Sequence, residues 1–345
     1  MRQPQIWMFQ CVTKIELRLR GCGFNYTARN LPQRHWGLHL QHTLKTSVTF
    51  NGVGLHSGKA VRMTVRPASA DYGVWFKRTD VLYTDALIPA RWDVVNQSPL
   101  CTRLDNAAGI SVSTVEHVMA ALAGCGIHNA LIEIDGPEVP ILDGSAAPFV
   151  RAFLLKGLTN QKTAVRAIEV LKPIEVRRGE AWARLEPGSD LTMDFHIDFE
   201  DPAIGVQAKS LKLANGSFVR ELCDSRTFCR KADVDYMHAN GLALGGTLEN
   251  AVVVEGEKIL SPGGLRHADE PVRHKMLDAL GDLALAGAPI LGHYTGYRAG
   301  HALTNDLLRA LFANPDAFRM VDCDARKMAR LPGVGVHLGE MPAVA

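Results

Sequence analysis

In the stretch PVRHKMLDALGDL, residues 271–283, a histidine and two aspartates recur at helical spacing. His274, Asp278 and Asp282 stand at i, i+4 and i+8, and line one face if the stretch is a helix. Two readings are open. The column can be an exposed polar face, with Arg273 and Lys275 close by to pair with the carboxylates. It can also be half of a metal site, because His and Asp one turn apart can direct two ligand atoms at one ion. Two ligands are too few, and His117 in SVSTVEHVMAALAGCG is the candidate third. The bland reading of that stretch stays open too: Glu116 falls three places after Ser113, where a capping-box glutamate belongs, and His117 suits a satisfied core position.

A His, His, Asp set is a borderline-soft nitrogen and oxygen site that suits zinc and leaves a fourth position for water. Zinc lowers the pKa of that water from about 15.7 to about 7. Glu116, beside a ligand in sequence, could then take its proton as general base. His301 in YRAGHALTNDLL opens the last long helix, and alone it is a histidine near a helix N-terminus. If it reaches Asp282, the carboxylate favours the imidazolium and makes the ring a general acid.

The elements that must position these residues are legible from pattern. TSVTFNGVGLHSG and VRMTVRPASADYGVWFKR alternate as strands, with Gly and Asn-Gly turns between them. SVSTVEHVMAALAGCG reads as a helix ended by Gly124 and Gly126. A strand, a Pro/Gly turn and a helix near Pro148 to Lys156 follow. The polar stretch KGLTNQKTAVR marks a boundary near residue 160, after which strands restart in AIEVLKPIEV, AWARLEP and LTMDFHIDF. The helix with the His–Asp column, the strand APILGHYTGYRAG and a helix from His301 to about Phe312 complete this half. Val115, His117 and Met119 can be laid on Val272, His274 and Met276, a weak internal repeat. Strands followed by helices in each half predict an α+β class and argue against a doubly wound parallel sheet.

At 345 residues the chain is long enough for two cores, and its 47% apolar and 21% charged residues are a globular balance. A net charge of +2 without aromatic-basic interleaving gives no case for nucleic acid. No apolar run approaches the roughly 20 residues of a transmembrane helix. The cysteines, at 11, 22, 101, 125, 223, 229 and 323, are odd in number and form no Cys-x-x-Cys pair. That pattern predicts free thiols in a reducing compartment, with no disulfide frame and no Cys-type zinc site. Residues 1–41 have a single acid, Glu16, several Arg and Lys, and no sustained periodicity. They read as a disordered tail, an over-extended start, or an Arg-rich organellar transit peptide.

Taken together, STVEHVMAALAGCGIHNALIEIDGPEVPILDGSAAPF, SRTF, GLALGGTLENAVV, DEPVRHKMLDALGDL and YRAGHAL resemble the UDP-3-O-acyl-N-acetylglucosamine deacetylases, zinc amidases of lipid A biosynthesis, in matching order from about His42 to Leu308. The resemblance implies zinc held by His117, His274 and Asp278, Glu116 as general base, and His301 as the acid oriented by Asp282. It also implies that the Thr227 hydroxyl holds the tetrahedral oxyanion, that Phe228 flanks the sugar, and that Lys275 and Arg298 contact substrate, Arg298 near the diphosphate. The implied fold is two similar α+β domains, each a layered sheet-plus-helices unit, with their helices packed face to face and the active site between them. On this sequence the domains are residues 42–160 and 161–345, with an insert at about 228–250 that could line an acyl-chain passage. The implied partner is an amphiphilic acylated UDP-sugar, with no nucleic acid, no transmembrane segment and no obligate protein partner; the location is the bacterial cytoplasm, or an organelle if residues 1–41 are a transit peptide. His128 and the RHADE run at 266–270 depart from the family forms, and His267 reads as a solvated loop histidine. Two alternatives remain: an amidohydrolase with another substrate, and a catalytically dead binder of nucleotide-sugars.

Overall fold

The strand Leu191–Asp198 shows how the pattern becomes structure: Leu191, Met193, Phe195 and Ile197 are buried while the residues between them face outward. A computed structural model of the chain describes residues 40–98 and 100–342. The readings of residues 1–39 lie outside the described residues.

In the first half, a five-stranded sheet runs in the order Val48–Val53, Ala60–Pro67, Ala130–Ile134, Val74–Arg78 and Leu87–Pro89. It is antiparallel except where Val74–Arg78 pairs in parallel with Ala130–Ile134. A small antiparallel sheet of Val95–Gln97, Thr102–Asp105 and Ser111–Ser113 lies beside it in sequence, and helices α1 (Glu116–Gly124) and α2 (Ala147–Lys156) complete this layer. The expected Asn-Gly turn is absent, because Asn51 and Gly52 sit inside Val48–Val53. The polar stretch expected as a boundary is likewise ordered: Leu158–Ala164 is a strand paired with Leu40–Leu44.

The second half is built on a seven-stranded mixed sheet. Its hub, Ile290–Tyr297, pairs with Arg166–Val170, Ala181–Pro187 and Leu191–Asp198. Between sheet strands the chain forms α3 (Ser217–Glu221), α4 (Lys231–Ala239), α5 (Glu270–Ala284) and α6 (His301–Phe312), with α7 (Ala325–Met328) after them. Helix α6 is amphipathic, burying Leu303, Leu307, Leu308 and Leu311. Phe228–Arg230, Val252–Glu255 and Lys258–Ile259 form a separate three-stranded sheet that brackets α4. The fold is therefore α+β, two layered sheet-plus-helix units joined through their helices. None of the described helices is long and apolar enough to cross a membrane.

The helix pair that joins the layers is α1 against α5. Helix α5 is buried on nearly every side, and His274, Asp278 and Asp282 are 2%, 4% and 3% exposed, which rules out the solvent-facing reading of that column. At the crossing, a Cβ on Gly281 would lie 2.0 Å from the Glu116 carbonyl oxygen and 3.1 Å from the Ala120 nitrogen, both backbone atoms. In an isolated helix, Gly→Ala gains about 1 kcal/mol. Here the neighbours are backbone, so Gly281→Ala forces the two helices apart, and overpacking of this kind costs about 1–3 kcal/mol. We expect Gly281→Ala to lower the denaturant midpoint; an increase would mean that the crossing relaxes freely.

Candidate active site

Helix α1 begins at Glu116 and not at a capping serine. Ser113 belongs to the strand Ser111–Ser113, Val115 occupies the cap position without a side-chain bond, and Thr114 is turned to φ +57°. The capping-box reading of Glu116 is therefore overturned. Its carboxylate accepts instead from the Thr102 backbone N–H at 3.1 Å.

Helices α1 and α5 bring His117, His274 and Asp278 together, with one ligand atom from each lying within 4.8 Å of the others. Asp278 Oδ1 is 3.3 Å from His274 Nε2 and 3.6 Å from His117 Nε2. Bonds of about 2.0–2.1 Å in a tetrahedral arrangement place ligand atoms about 3.3 Å apart, so these separations suit one small divalent ion. Two further observations agree. Asp278 Oδ1 is a buried oxygen with no hydrogen-bond partner, an expensive state that a cation relieves. His274 places its Nδ1 2.9 Å from the Ser225 carbonyl, which can only accept; the ring proton belongs on Nδ1 and the Nε2 lone pair faces the cluster.

The protonation states follow from what each group faces. Burial pushes His274 down to about 4, so it is neutral near pH 7. Burial works against ionisation of Asp278, but the His274 ring and the Lys275 ammonium, 2.9 Å from Oδ2, hold its carboxyl well below the usual range. Lys275 is in turn kept charged by Asp278 against the burial that would lower it. Burial raises Glu116 above the ordinary glutamate value, with His301 and His117 opposing.

His301 is the first residue of α6, where the helix dipole disfavours a cation by about 0.3–1 kcal/mol. Burial disfavours it too. Asp282 Oδ2, 2.8 Å from Nδ1, and Glu116 Oε1, 3.8 Å from Nε2, overcome both, and the ring is lifted to about 9. The reach from His301 to Asp282 that the sequence left conditional is thus present.

The other residues singled out from the sequence surround this core. Phe228 sets its ring edge-on to His274 at 6.4 Å. Thr227, half-buried, has its backbone fixed by N–H donation to Gly144 and by acceptance from the Val252 N–H. Lys275 and Arg298 line one cavity of about 360 Å³ together with Arg230, Asp198, Glu200 and Phe199. Arg298 holds φ +50° and pairs with Glu180 at 3.1 Å. His267 is no solvated loop residue, since its Nε2 lies 2.9 Å from the buried Asp224.

Two contributors carried no sequence signal as site residues. Thr102, 4% exposed, donates its hydroxyl to Asp282 Oδ1 at 2.5 Å. Glu270, wholly buried, accepts from the backbone N–H, Nε and Nη2 of Arg226, which ties the loop carrying the Ser225 carbonyl to the start of α5. The SRTF string contains Arg226, the donor of this second network, but only contact distances identify its partner.

The family model described as UDP-3-O-acyl N-acetylglycosamine deacetylase (LpxC) matches residues 41–313. A protein of Shewanella frigidimarina named UDP-3-O-acyl-N-acetylglucosamine deacetylase is 46% identical over 304 residues, covering 86% of this chain and 99% of its own. Proteins of the same name from Phenylobacterium zucineum and Pasteurella multocida are 49% and 46% identical, over 81% and 83% of this chain and 96% and 94% of theirs.

The His301 assignment has a direct pH consequence. Its folded value, about 9, lies above the ordinary 6.5, so the charged ring stabilises the fold below pH 6.5 and that contribution is lost as the pH rises through about 9. In metal-free protein, the His301 imidazole followed by NMR should titrate near pH 9, and Asp282→Asn should bring the midpoint down. A midpoint at or below 6.5 in the unsubstituted chain would show that burial governs the ring.

Proposed function

The chain belongs to the UDP-3-O-acyl N-acetylglycosamine deacetylase family, and from that premise we propose that it hydrolyses the N-acetyl group of UDP-3-O-(3-hydroxyacyl)-N-acetylglucosamine to acetate, in lipid A biosynthesis. The observation that carries this reading is one buried space holding a His–His–Asp cluster, an unprotonated-capable carboxylate at Glu116 and a charged His301–Asp282 pair.

The metal we propose is zinc, which His117, His274 and Asp278 would hold. Bound there, it would supply a Lewis acid for the acetyl carbonyl and a water acidic enough to lose its proton near pH 7. Glu116 takes that proton; burial raises its pKa towards the operating pH, which is what a general base needs. Its second oxygen is anchored by the Thr102 N–H, so Oε1 is the free one. The His301 ring, with Nδ1–H committed to Asp282, presents Nε2–H to the departing glucosamine nitrogen and gives up that proton as the C–N bond breaks. The Thr227 hydroxyl holds the oxyanion and Phe228 flanks the sugar. Lys275 and Arg298, on the wall of the 360 Å³ cavity, meet the anionic part of the substrate.

The insert at about 228–250 takes the hydroxyacyl chain. It leaves Tyr236, Leu242, Leu244 and Leu248 exposed at 70%, 36%, 57% and 43%, apolar surface that an acyl chain would cover. We divide the catalytic chain into two domains, the first closed by the strand Leu158–Ala164 on Leu40–Leu44 and so ending just past the boundary near residue 160 that the sequence suggested, and place it in the bacterial cytoplasm. A binder of nucleotide-sugars without turnover would have no use for a base, an acid and a metal cluster in one space.

Acetate release from UDP-3-O-acyl-N-acetylglucosamine should vanish on chelation and return with added zinc. No release from folded, zinc-loaded protein would turn the search to other N-acetylated nucleotide-sugars. Glu116→Ala should keep its zinc and lose about 10²–10⁴-fold in kcat; turnover near that of the unsubstituted chain would remove Glu116 as base. Asp278→Ala should lower the zinc content, and unchanged metal would remove it from the ligand set.

A further inference from the structure

Thr102 touches both halves of the acid–base machinery without being part of either. Its hydroxyl donates to Asp282 Oδ1 at 2.5 Å, while the other oxygen of that carboxylate takes the His301 Nδ1–H at 2.8 Å. Its backbone N–H donates to Glu116 Oε2 at 3.1 Å. Its carbonyl accepts from the Val115 N–H, one residue before Glu116. One residue of the short strand Thr102–Asp105 therefore ties α1 to α5, and through Asp282 it reaches the first residue of α6.

We infer that Thr102 is a positioning residue for this reaction: its hydroxyl locks the rotation of the Asp282 carboxylate, and so aims the His301 ring at the same reacting centre that Glu116 faces. The inference rests on the hydrolase reading above. Asp282 is 3% exposed, and without the hydroxyl its Oδ1 would be left a buried acceptor lacking this donor. Its single remaining tie would be the ring it is meant to orient, and a carboxylate held at one oxygen swings about that bond.

Packing alone does not account for a threonine here. Valine has the same branched shape and an equal or better fit to a strand, so shape and strand propensity alone do not call for the hydroxyl. The oxygen is the distinguishing atom, and it is spent on a residue of the acid–base pair.

The test compares Thr102→Val, which keeps shape and backbone N–H, with Thr102→Ser, which keeps the hydroxyl; Thr102→Ala replaces the valine variant should the latter unfold. Acetate release, zinc content and thermal midpoint are measured on the zinc-loaded chain, together with the downfield imidazole N–H proton of His301 by NMR. Thr102→Val should lower kcat about 10- to 100-fold, the size of one hydrogen bond to a charged group. KM and zinc content should change by less than about twofold, since no ligand or cavity residue is touched. Thr102→Ser should recover most of that loss, and the His301 proton should shift or broaden in Thr102→Val only. Equal losses in the Val and Ser variants, or a valine variant with undiminished kcat, would overturn the assignment. So would a loss of kcat with an unmoved His301 signal. If the unsubstituted chain releases no acetate, the substrate reading fails, and the NMR comparison still decides whether Thr102 governs His301.

Discussion

Three carboxylates, Glu116, Asp278 and Asp282, are buried together at 3%, 4% and 3% exposure, and the interior must make that tolerable. Buried charges are accepted only when paired and hydrogen-bonded, and breaking such pairing costs several kcal/mol. Each acid is answered differently. Asp282 is closed at both oxygens by Thr102 and His301, Asp278 has Lys275 on one oxygen and two imidazoles facing the other, and Glu116 has a backbone N–H on Oε2 with the His301 ring 3.8 Å from Oε1. The two incomplete answers, Asp278 Oδ1 and Glu116 Oε1, border the same small space. Acceptors of this kind are ones that a divalent cation would satisfy. The sheets of both layers serve this arrangement by pressing α1 and α5 into backbone contact at Gly281.

The same side chain is used in opposite protonation states, and the choice rests on the partner's chemistry. His274 gives its Nδ1–H to a neutral carbonyl, so burial wins and the ring stays uncharged, fit to be a ligand. His301 gives its Nδ1–H to a carboxylate with a second one nearby, so attraction wins and the ring is charged, fit to be an acid. Of the immediate neighbours in sequence, Lys275 beside His274 lowers that ring further, but it is the least of the causes. The distinction lies in which loop or helix residue arrives opposite Nδ1.

Much of this was legible in the sequence because helical spacing is local. The i, i+4, i+8 column, the alternating strands and the start of α6 at His301 all follow from residues close together in the chain. The capping-box reading of Glu116 went wrong because a spacing rule cannot see that Ser113 is taken by a strand and its hydroxyl by Pro137. The polar stretch before residue 166 reads as a linker by composition, yet it pairs with Leu40–Leu44, more than a hundred residues away. Thr102 and Glu270 stayed hidden for the same reason: a threonine in a short strand and a glutamate in a first helical turn are ordinary until their partners are known. Gly281 is the sharpest case, since within a helix a glycine looks like a weakness and only the opposing backbone of α1 explains it.

The division of the His–His–Asp cluster between α1 and α5 also has a bearing on biosynthesis. As the chain leaves the ribosome, His117 emerges more than 150 residues before His274 and Asp278. Until then the growing polypeptide offers one imidazole of the cluster, too little to retain a metal ion against cellular chelators. On the proposed metal assignment, loading would therefore come late, after the residues of the second layer have been made and α5 has packed on α1. A bound ion would thereby mark completed assembly, because the His–His–Asp cluster exists only once α1 and α5 are packed together.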